Sequence, residues 1–253
     1  MFETILCDKS EGIARITLNR PDSLNSLNLL MRDELRLALE DIAKDSDSKV
    51  VIITGAGRAF CAGGDVKEQG AGFDAISGRE RIRHLHRTLM TMVNMEKPII
   101  AMVNGLAVGA GFNLALACDM IFASDDAKFS QVFINIGFIT DFGGLYFLPR
   151  LIGLARAKEL VFTGRMIGAQ EAKDIGLVNQ VFPKQELEDA VINLARTMAG
   201  KSAKALAFDK SLLNRSLDSD LITMLEMEQF AQGICFQSEE HKEALGKLLN
   251  RNR

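Results

Sequence analysis

Hydrophobic and polar residues alternate in blocks along the first part of the chain, and each block predicts one element. Short apolar runs at Thr4–Leu6 and Ile13–Leu18, joined by a polar turn through Asp8–Gly12, predict a hairpin-like pair of strands. Between Asn28 and Lys44 the apolar residues recur at helical spacing and predict an amphipathic helix. The run Val50–Thr54 is rich in β-branched residues, which is typical of a strand buried on both faces.

A second buried strand and an intervening helix indicate the fold class. The apolar run Ile99–Val103, opened by Pro98, predicts the strand, and Arg79–Met95 predicts a helix between the two buried strands. Strands that alternate with helices favour parallel crossover units. We therefore expect an α/β fold.

Both buried strands lead into stretches of small residues. Gly55–Asp65 follows the first strand and ends where a helix is predicted to begin, at Asp65. Gly109–Gly111 follows the second strand and leads into the apolar helix Phe112–Cys118. The first N–H groups of a helix are unpaired, and residues without bulk let a ligand oxygen approach them. Such a corner can bind a carbonyl that becomes an oxyanion, although small residues also simply allow close packing.

Three more amphipathic helices are predicted near the C-terminus, at Ser202–Leu213, Asp220–Ala231 and Glu239–Leu249. Each has an apolar stripe with charged residues opposite. Because these helices follow a complete α/β unit, their stripes are interpreted as core or subunit contacts. We divide the chain accordingly into a core of residues 1–199 and a helical region of residues 200–253.

The composition limits the partners and the compartment. The 253 residues are 47% hydrophobic, and 30 Lys and Arg against 33 Asp and Glu give a net charge of −3. This charge offers no basic field for nucleic acid or an anionic membrane. The four cysteines are scattered without a CxxC pair, which is typical of reduced thiols in a cytoplasmic protein. We expect neither a secretory signal nor a membrane span.

Other common ligand motifs do not occur in this chain. The patterns GxGxxG, GxxxxGK[ST] and GxSxG are all missing from the sequence. His84 and His86 lie two apart on a predicted helix, hence on different faces, and His241 stands alone, so no metal site is expected. Cys61 has no neighbouring His or Lys in sequence to activate it and is interpreted as a packed thiol.

Several long motifs, occurring in order, resemble those of the crotonase (enoyl-CoA hydratase/isomerase) superfamily. They are LNRPDSLNSLN at 18–28, VVIITGAGRAFCAGGDVKE at 50–68, NGLAVGAGFNLALACD at 104–119, GLYFLPRLIGLARAKELVFTG at 144–164 and GAQEAKDIGLVNQVFP at 168–183. The resemblance covers nearly the whole chain. It implies a spiral of ββα repeats, a C-terminal helical region that forms homotrimers or dimers of trimers, and acyl-CoA thioesters as substrates, with no cofactor beyond the CoA of the substrate.

The resemblance also assigns binding residues. In the family two main-chain N–H groups bind the thioester oxygen, and their positions match Ala62 in CAGGD and Ala110 in GAG. The adenine and ribose end of CoA is implied to lie around the loop from Arg20 to Asn25, with contacts from Arg20, Ser23 and Leu24, and near the helix that follows GGD. Lys67 on that helix is a candidate phosphate partner and is equally compatible with an ordinary solvated lysine. Further substrate contacts are expected from Gly64, Asp65, Gly109, Asn113, Phe133 and Phe138.

Three positions distinguish among the reactions of the family. Hydratases carry two glutamates that position and split a water, and this chain has Asn113 and Phe133 at the matching positions. Neither side chain takes a proton from water at neutral pH. Asp141 matches the catalytic aspartate of several isomerase branches, and the chain most resembles the phenylacetate-degradation isomerases. Met90 stands where the related dehalogenase branch has a histidine, which argues against dehalogenation.

Asp141 has two interpretations. It precedes Phe142-Gly143-Gly144, so it can be the N-cap of a helix. Alternatively, its apolar neighbours desolvate the carboxyl and raise its pKa, which suits a base that moves a proton from C2 to C4 of a 3-enoyl-CoA. These neighbours are Phe138, Ile139, Phe142 and Phe133. A hydratase that uses Asp141 with a substrate-held water, and a non-catalytic acyl-CoA-binding protein, are the alternatives.

Overall fold

The computed structural model describes residues 2–69, 72 and 74–251, and it begins with the expected hairpin. Strand β1 (Ile5–Ser10) pairs antiparallel with β2 (Ile13–Leu18). The turn is only Glu11 and Gly12, both at positive φ (53° and 77°). The residues predicted to begin the turn are instead the second half of β1, because a strand at the edge of a sheet can carry polar side chains that face solvent.

The larger sheet has six strands in the order β1-β2-β3-β5-β7-β10. Its other members are β3 (Val50–Gly55), β5 (Ile99–Val103), β7 (Met120–Ser124) and β10 (Gln180–Phe182). From β2 onward all neighbours run parallel. Every residue of β3 and β5 is buried, as their unbroken apolar runs predicted. The expected parallel α/β arrangement is therefore confirmed.

A smaller sheet, which the sequence did not predict, has the order β4-β6-β8-β9. Its strands are β4 (Ala59–Cys61), β6 (Leu106–Val108), β8 (Lys128–Ser130) and β9 (Ile167–Gly168). The first three run parallel, and β9 is antiparallel to β8. Three successive turns of the chain (β3-β4, β5-β6 and β7-β8) each contribute one strand to the larger sheet, one to the smaller sheet and then helical structure. This is the expected spiral of ββα repeats.

Polar side chains cap the two longest helices of the core. Helix α1 (Leu29–Lys44) follows Asn28, whose Oδ1 accepts a hydrogen bond from the Met31 N–H at 2.9 Å. Helix α3 (Ala75–Asn94) begins four residues before the predicted start because Asp74 caps it. The remaining core helices are α2 (Val66–Gln69), α4 (Ala110–Leu116), α5 (Gly144–Ile152), α6 (Leu154–Thr163), α7 (Ala169–Asp174) and α8 (Leu187–Ala199).

Helices α9 (Ala203–Arg215), α10 (Leu221–Phe236) and α11 (Glu239–Arg251) confirm the helical C-terminal region. Helix α10 has no buried residue and exposes large apolar side chains, including 79% of Phe230. The prediction that this region forms subunit contacts agrees with these exposed faces and stays a prediction. No helix within the described part of the chain is both long and apolar enough to cross a membrane.

A buried lysine attaches the C-terminal region to the core. The Lys210 ammonium on α9 donates to the carbonyl oxygens of Met92 (3.1 Å) and Lys97 (3.0 Å). It also forms an ion pair of 2.8 Å with Asp119, which follows α4. Lys210 is 7% exposed, so its charge lies inside the contact between the two regions.

Candidate active site

The two small-residue corners meet beside the smaller sheet. Since β4 and β6 are parallel neighbours, the residues that follow them, Ala62–Gly64 and Gly109-Ala110, lie at the same edge. Gly63 has φ of +88°, and a Cβ atom added to it would lie 2.8 Å from the Val108 carbonyl oxygen and 3.3 Å from the Ala110 nitrogen. A Cβ on Gly111 would collide with the Cys61 carbonyl. Only glycine allows this approach, which brings two sets of main-chain amides together.

The hydrogen bonds of the corners identify their free donors. The N–H of Ala62 donates to the Leu24 carbonyl oxygen at 2.9 Å, so the expectation that Ala62 binds a ligand oxygen is wrong. Within the described ranges, the N–H groups of Gly64 and Ala110 have no hydrogen-bond partner. Two free donors at neighbouring strand ends suit a developing oxyanion. Gly64 therefore replaces Ala62 as a candidate donor, and the role of Ala110 stays a prediction.

Asp65 and Arg20, both predicted to bind ligand, bind each other instead. The Arg20 guanidinium lies 3.0 Å from Asp65 Oδ2 and also donates to the Ser26 carbonyl at 2.7 Å. Asp65 Oδ1 accepts from the N–H of Lys67, at the start of α2. Burial opposes ionisation of Asp65, but these hydrogen bonds outweigh it and hold the pKa of Asp65 below its ordinary value. The loop between β2 and α1, residues 19–28, is called the first loop. The ion pair therefore fixes the first loop against the corner at Ala62–Gly64.

The first loop has an unusual backbone held by one side chain. Leu24 and Asn25 both have positive φ (52° and 58°), which is uncommon away from glycine. Asn25 stabilises the turn, since its Nδ2 donates to the carbonyls of Ala56 (2.9 Å) and Ala59 (2.8 Å). Ser23 and Leu24 remain partly exposed on the loop, where a ligand can reach them.

Lys67 lies close to that loop, on α2. Its side chain is exposed and has no partner in the part of the chain that the structure describes. A lysine in this state is available to an anionic ligand such as a phosphate. Its expected role as a phosphate partner therefore remains a prediction.

Asp141 is not a helix cap. Helix α5 is preceded by Gly143, and no side chain caps it. Instead, Asp141 Oδ1 is buried and has no hydrogen-bond partner within the described ranges. The next residue, Phe142, is 1% exposed and has φ of +46°. A left-handed phenylalanine next to an unpaired buried carboxylate oxygen is the kind of strain that concentrates at functional sites.

Burial and one arginine set the electrostatics of Asp141. Burial raises the pKa of Asp141 to about 6, against the opposing effect of the positive charge of Arg32. Arg32 is 5% exposed on α1, and its Nε donates to the Leu27 carbonyl at 3.1 Å. The sequence analysis missed Arg32, because an arginine on an amphipathic helix is normally solvated. The sequence signal that could have indicated its burial is the position of Arg32 among the apolar residues of that helix.

Asn113 faces the protein rather than a ligand. It is fully buried on α4, its Nδ2 donates to the Asp141 carbonyl oxygen at 2.8 Å, and its Oδ1 accepts from Gln131 Nε2 at 2.7 Å. Both ends of the amide are therefore occupied, and the expected substrate contact of Asn113 is wrong. Gln131, which is also fully buried, was missed by the sequence analysis.

Phe133 and Phe138 have different environments. Phe133 is buried, and its ring would lie 3.6 Å from a Cβ atom at Gly109, so it borders the corner at Gly109-Ala110. Its contact with the substrate stays a prediction. Phe138 is 50% exposed and Ile139 is 81% exposed, so the apolar setting predicted for Asp141 does not come from them. Both lie on a surface loop.

Within the described residues, this site has neither an activated cysteine nor a cluster of metal-ligating side chains. The Cys61 thiol is buried and donates to the Asn25 carbonyl, and burial raises its pKa to about 12. A thiol with that pKa is not a thiolate at neutral pH. Among the residues that the structure describes, no three His, Cys, Asp or Glu side chains form a metal-ligand cluster.

The spiral of ββα repeats defines the fold class of this protein, which is the crotonase fold. The sequence matches the family Enoyl-CoA hydratase/isomerase over residues 8–252, and the chain belongs to that family. It is 35% identical to the short-chain-enoyl-CoA hydratase of Clostridium acetobutylicum, over 100% of this chain and 97% of the relative. It is 34% identical to the 1,2-epoxyphenylacetyl-CoA isomerase of Escherichia coli, over 98% of this chain and 96% of the relative.

Solved structures agree with this assignment. The enoyl-CoA hydratase of Bacillus anthracis superimposes with a TM-score of 0.94 at 37% identity, over 98% of this chain and 97% of that one. The family resemblance and the crotonase fold expected from the sequence are thus confirmed. The chain is therefore an enzyme of this family. The names of the similar proteins include both hydratases and isomerases, so they do not decide between the two reactions.

Proposed function

We propose that this enzyme is an enoyl-CoA isomerase that moves a double bond into conjugation with the thioester carbonyl, using Asp141 as its single acid and base. The observation that carries the proposal is the buried, unpaired carboxylate oxygen of Asp141. Both positions of the hydratase glutamates hold side chains without an acid, Asn113 and Phe133. One acid/base is sufficient for a 1,3-proton shift, whereas hydration normally needs a second group to hold the water.

The proposed reaction begins with an oxyanion. The thioester oxygen of a 3-enoyl-CoA accepts hydrogen bonds from the N–H groups of Gly64 and Ala110. Asp141 removes a proton from C2, and the electron pair of that C–H bond forms a dienolate whose charge lies on the thioester oxygen. The protonated Asp141 then returns the proton to C4, the double bond forms between C2 and C3, and the carboxylate is regenerated. The isomerisation of a ring-epoxide phenylacetyl-CoA is the related reaction favoured by the similarity to the isomerase from E. coli.

Binding of the CoA portion is proposed at the first loop. Ser23 and Leu24 present the partly exposed surface of the loop, and Lys67 supplies a free positive charge for a phosphate. Arg20 shapes the loop through its ion pair with Asp65 rather than binding phosphate itself. Coenzyme A enters as part of the substrate, and the proposed reaction needs no other cofactor.

We also propose that the exposed apolar face of α10 is covered in a homotrimer or a dimer of trimers.

The pH dependence of isomerisation follows from the electrostatics of Asp141. We expect kcat/KM to increase with pH and to reach half of its maximum near pH 6, because Asp141 must be ionised to take a proton and its pKa is raised to about 6. Rates measured with a 3-enoyl-CoA between about pH 4 and pH 9 provide the test. A half-maximum near pH 4 would mean that the base is a solvated carboxylate and not Asp141.

The proposed reaction is tested by comparing two substrates. Purified protein should convert a 3-enoyl-CoA to the 2-enoyl-CoA, detected by the absorbance of the conjugated thioester, and should hydrate a 2-enoyl-CoA at least about tenfold more slowly. Faster hydration than isomerisation would establish the hydratase alternative, which the name of the C. acetobutylicum relative favours. Binding of acyl-CoA without turnover of any unsaturated thioester would leave a non-catalytic binding protein.

A further inference from the structure

From the buried hydrogen bonds behind Asp141, we infer that Gln131 is a positioning residue which fixes the main chain of Asp141 through the side-chain amide of Asn113. The inference rests on the proposed role of Asp141. Gln131 Nε2 donates to Asn113 Oδ1 at 2.7 Å, and Asn113 Nδ2 donates to the Asp141 carbonyl oxygen at 2.8 Å. Gln131 and Asn113 are both 0% exposed, so water does not compete for either hydrogen bond.

The direction of each hydrogen bond depends on the previous one. An asparagine amide has a donor end and an acceptor end, and only one orientation satisfies both neighbours. Because Gln131 offers an N–H, Asn113 must turn its oxygen toward Gln131, and this leaves the Asn113 N–H group for Asp141. Gln131 Oε1 is buried without a partner in the described part of the chain. The Asp141 carbonyl oxygen can only accept, so the Asn113 oxygen needs a donor on its other side. Gln131 Nε2 supplies that donor and stabilises this orientation of the Asn113 amide.

The backbone at Asp141 requires such a restraint. Phe142 and Gly143, which follow it, have φ of +46° and +75°, and phenylalanine does not favour that conformation. The Asp141 carbonyl oxygen accepts two hydrogen bonds, from Asn113 and from the N–H of Gly144 at 2.9 Å. A Cβ atom on Gly144 would lie 2.6 Å from Asn113 Cγ, so the amide also packs tightly against the chain. Together these contacts fix the conformation of the main chain at Asp141, which carries the proposed base.

The experiment replaces Gln131 by a residue of similar shape without a hydrogen-bond donor. In Gln131→Met the Asn113 amide can turn, and the Asp141 peptide loses its fixed partner. We expect kcat for the enoyl-CoA reaction of the wild-type protein to fall about 10- to 100-fold, while KM changes less than about threefold, because a displacement of the base affects the reaction step more than binding. Thr54→Val is the matched control, since it removes a buried hydrogen bond to the Met102 carbonyl far from Asp141.

A double-mutant cycle separates positioning from stability. If Gln131 acts through Asn113, then Gln131→Met should have almost no further effect on kcat in an Asn113→Ala background. Additive effects would overturn the proposal, as would a Gln131→Met enzyme with full kcat and only a reduced Tm. If the role of Gln131 is purely structural, Thr54→Val and Gln131→Met should lower Tm to a similar extent, and both variants should keep the kcat of the wild-type protein.

Failure of the proposed function can be told apart from failure of this inference. If the wild-type protein turns over no enoyl-CoA, the proposed isomerase activity fails. A crystal structure of Gln131→Met then tests the inference without any assay. Loss of the hydrogen bond between Asn113 and the Asp141 carbonyl, with a rotated peptide after Asp141, would support it. An unchanged conformation from Asn113 to Gly143 would overturn it.

Discussion

Replacing Asp141 by asparagine is expected to reduce isomerisation of a 3-enoyl-CoA by about 10²- to 10⁴-fold, which is the typical contribution of a positioned acid or base. The amide has nearly the same shape as the carboxyl but cannot take the C2 proton. The hydrogen bond from Asn113 to residue 141 is made to the main chain and survives the substitution. Steady-state kinetics with the wild-type enzyme and the variant provide the measurement.

Stability and binding serve as the controls for Asp141→Asn. Because burial raises the pKa of Asp141 from 3.8 to about 6, the folded state disfavours the charged form. The wild-type protein therefore loses stability as pH rises from about 4 to about 6 and stays less stable above that range. The variant lacks this cost, so we expect its Tm at pH 7 to be higher by roughly 2–4 °C or more. A saturated acyl-CoA should bind both proteins alike. Unchanged turnover would rule out Asp141 as the base.

Substituting Ala110 by proline is expected to reduce kcat/KM by about 10²- to 10³-fold, the usual cost of removing one oxyanion donor. Ala110 is the first residue of α4, and proline is well tolerated at the first position of a helix because that N–H has no partner within the helix. The substitution therefore removes the donor while preserving the helix. Kinetics with a 3-enoyl-CoA, together with the Tm of the variant, test the prediction.

The matched control for this substitution is Ala110→Gly. Glycine keeps the main-chain N–H and removes only a methyl group, so we expect activity within about threefold of the wild-type enzyme. A proline variant that is folded and fully active would show that the thioester oxygen does not bind at Ala110. If both variants lose activity equally, the Ala110 side chain matters and its N–H does not.

Most of the larger sheet could be predicted because its strands carry their own signal. The continuous apolar runs of β3 and β5 correspond to strands buried on both faces, and α1 has both helical spacing and a cap at Asn28. The strands of the smaller sheet have only two or three residues. Runs that short show no periodicity. In addition, β4 and β6 lie beside glycines, so their sequences resemble those of loops.

The candidate site could be predicted only in part, because a sequence does not show which groups are already paired. Gly64 and Ala62 both lie in the CAGGD motif, but only the folded chain shows that Leu24 occupies the Ala62 N–H. Asp141 was found because its position matches the catalytic aspartate of the isomerase branches that the chain resembles. Arg32 and Gln131 were missed because their burial depends on packing between elements distant in sequence.

The contact of Lys210 with the core has a consequence for how the protein forms during its synthesis. Asp119 is made 91 residues before Lys210, and 23% of its side chain stays exposed in the finished ion pair. Until Lys210 leaves the ribosome, Asp119 lacks this partner, and so do the carbonyl oxygens of Met92 and Lys97. The attachment of the C-terminal region to the core therefore forms only when the last fifth of the polypeptide is translated.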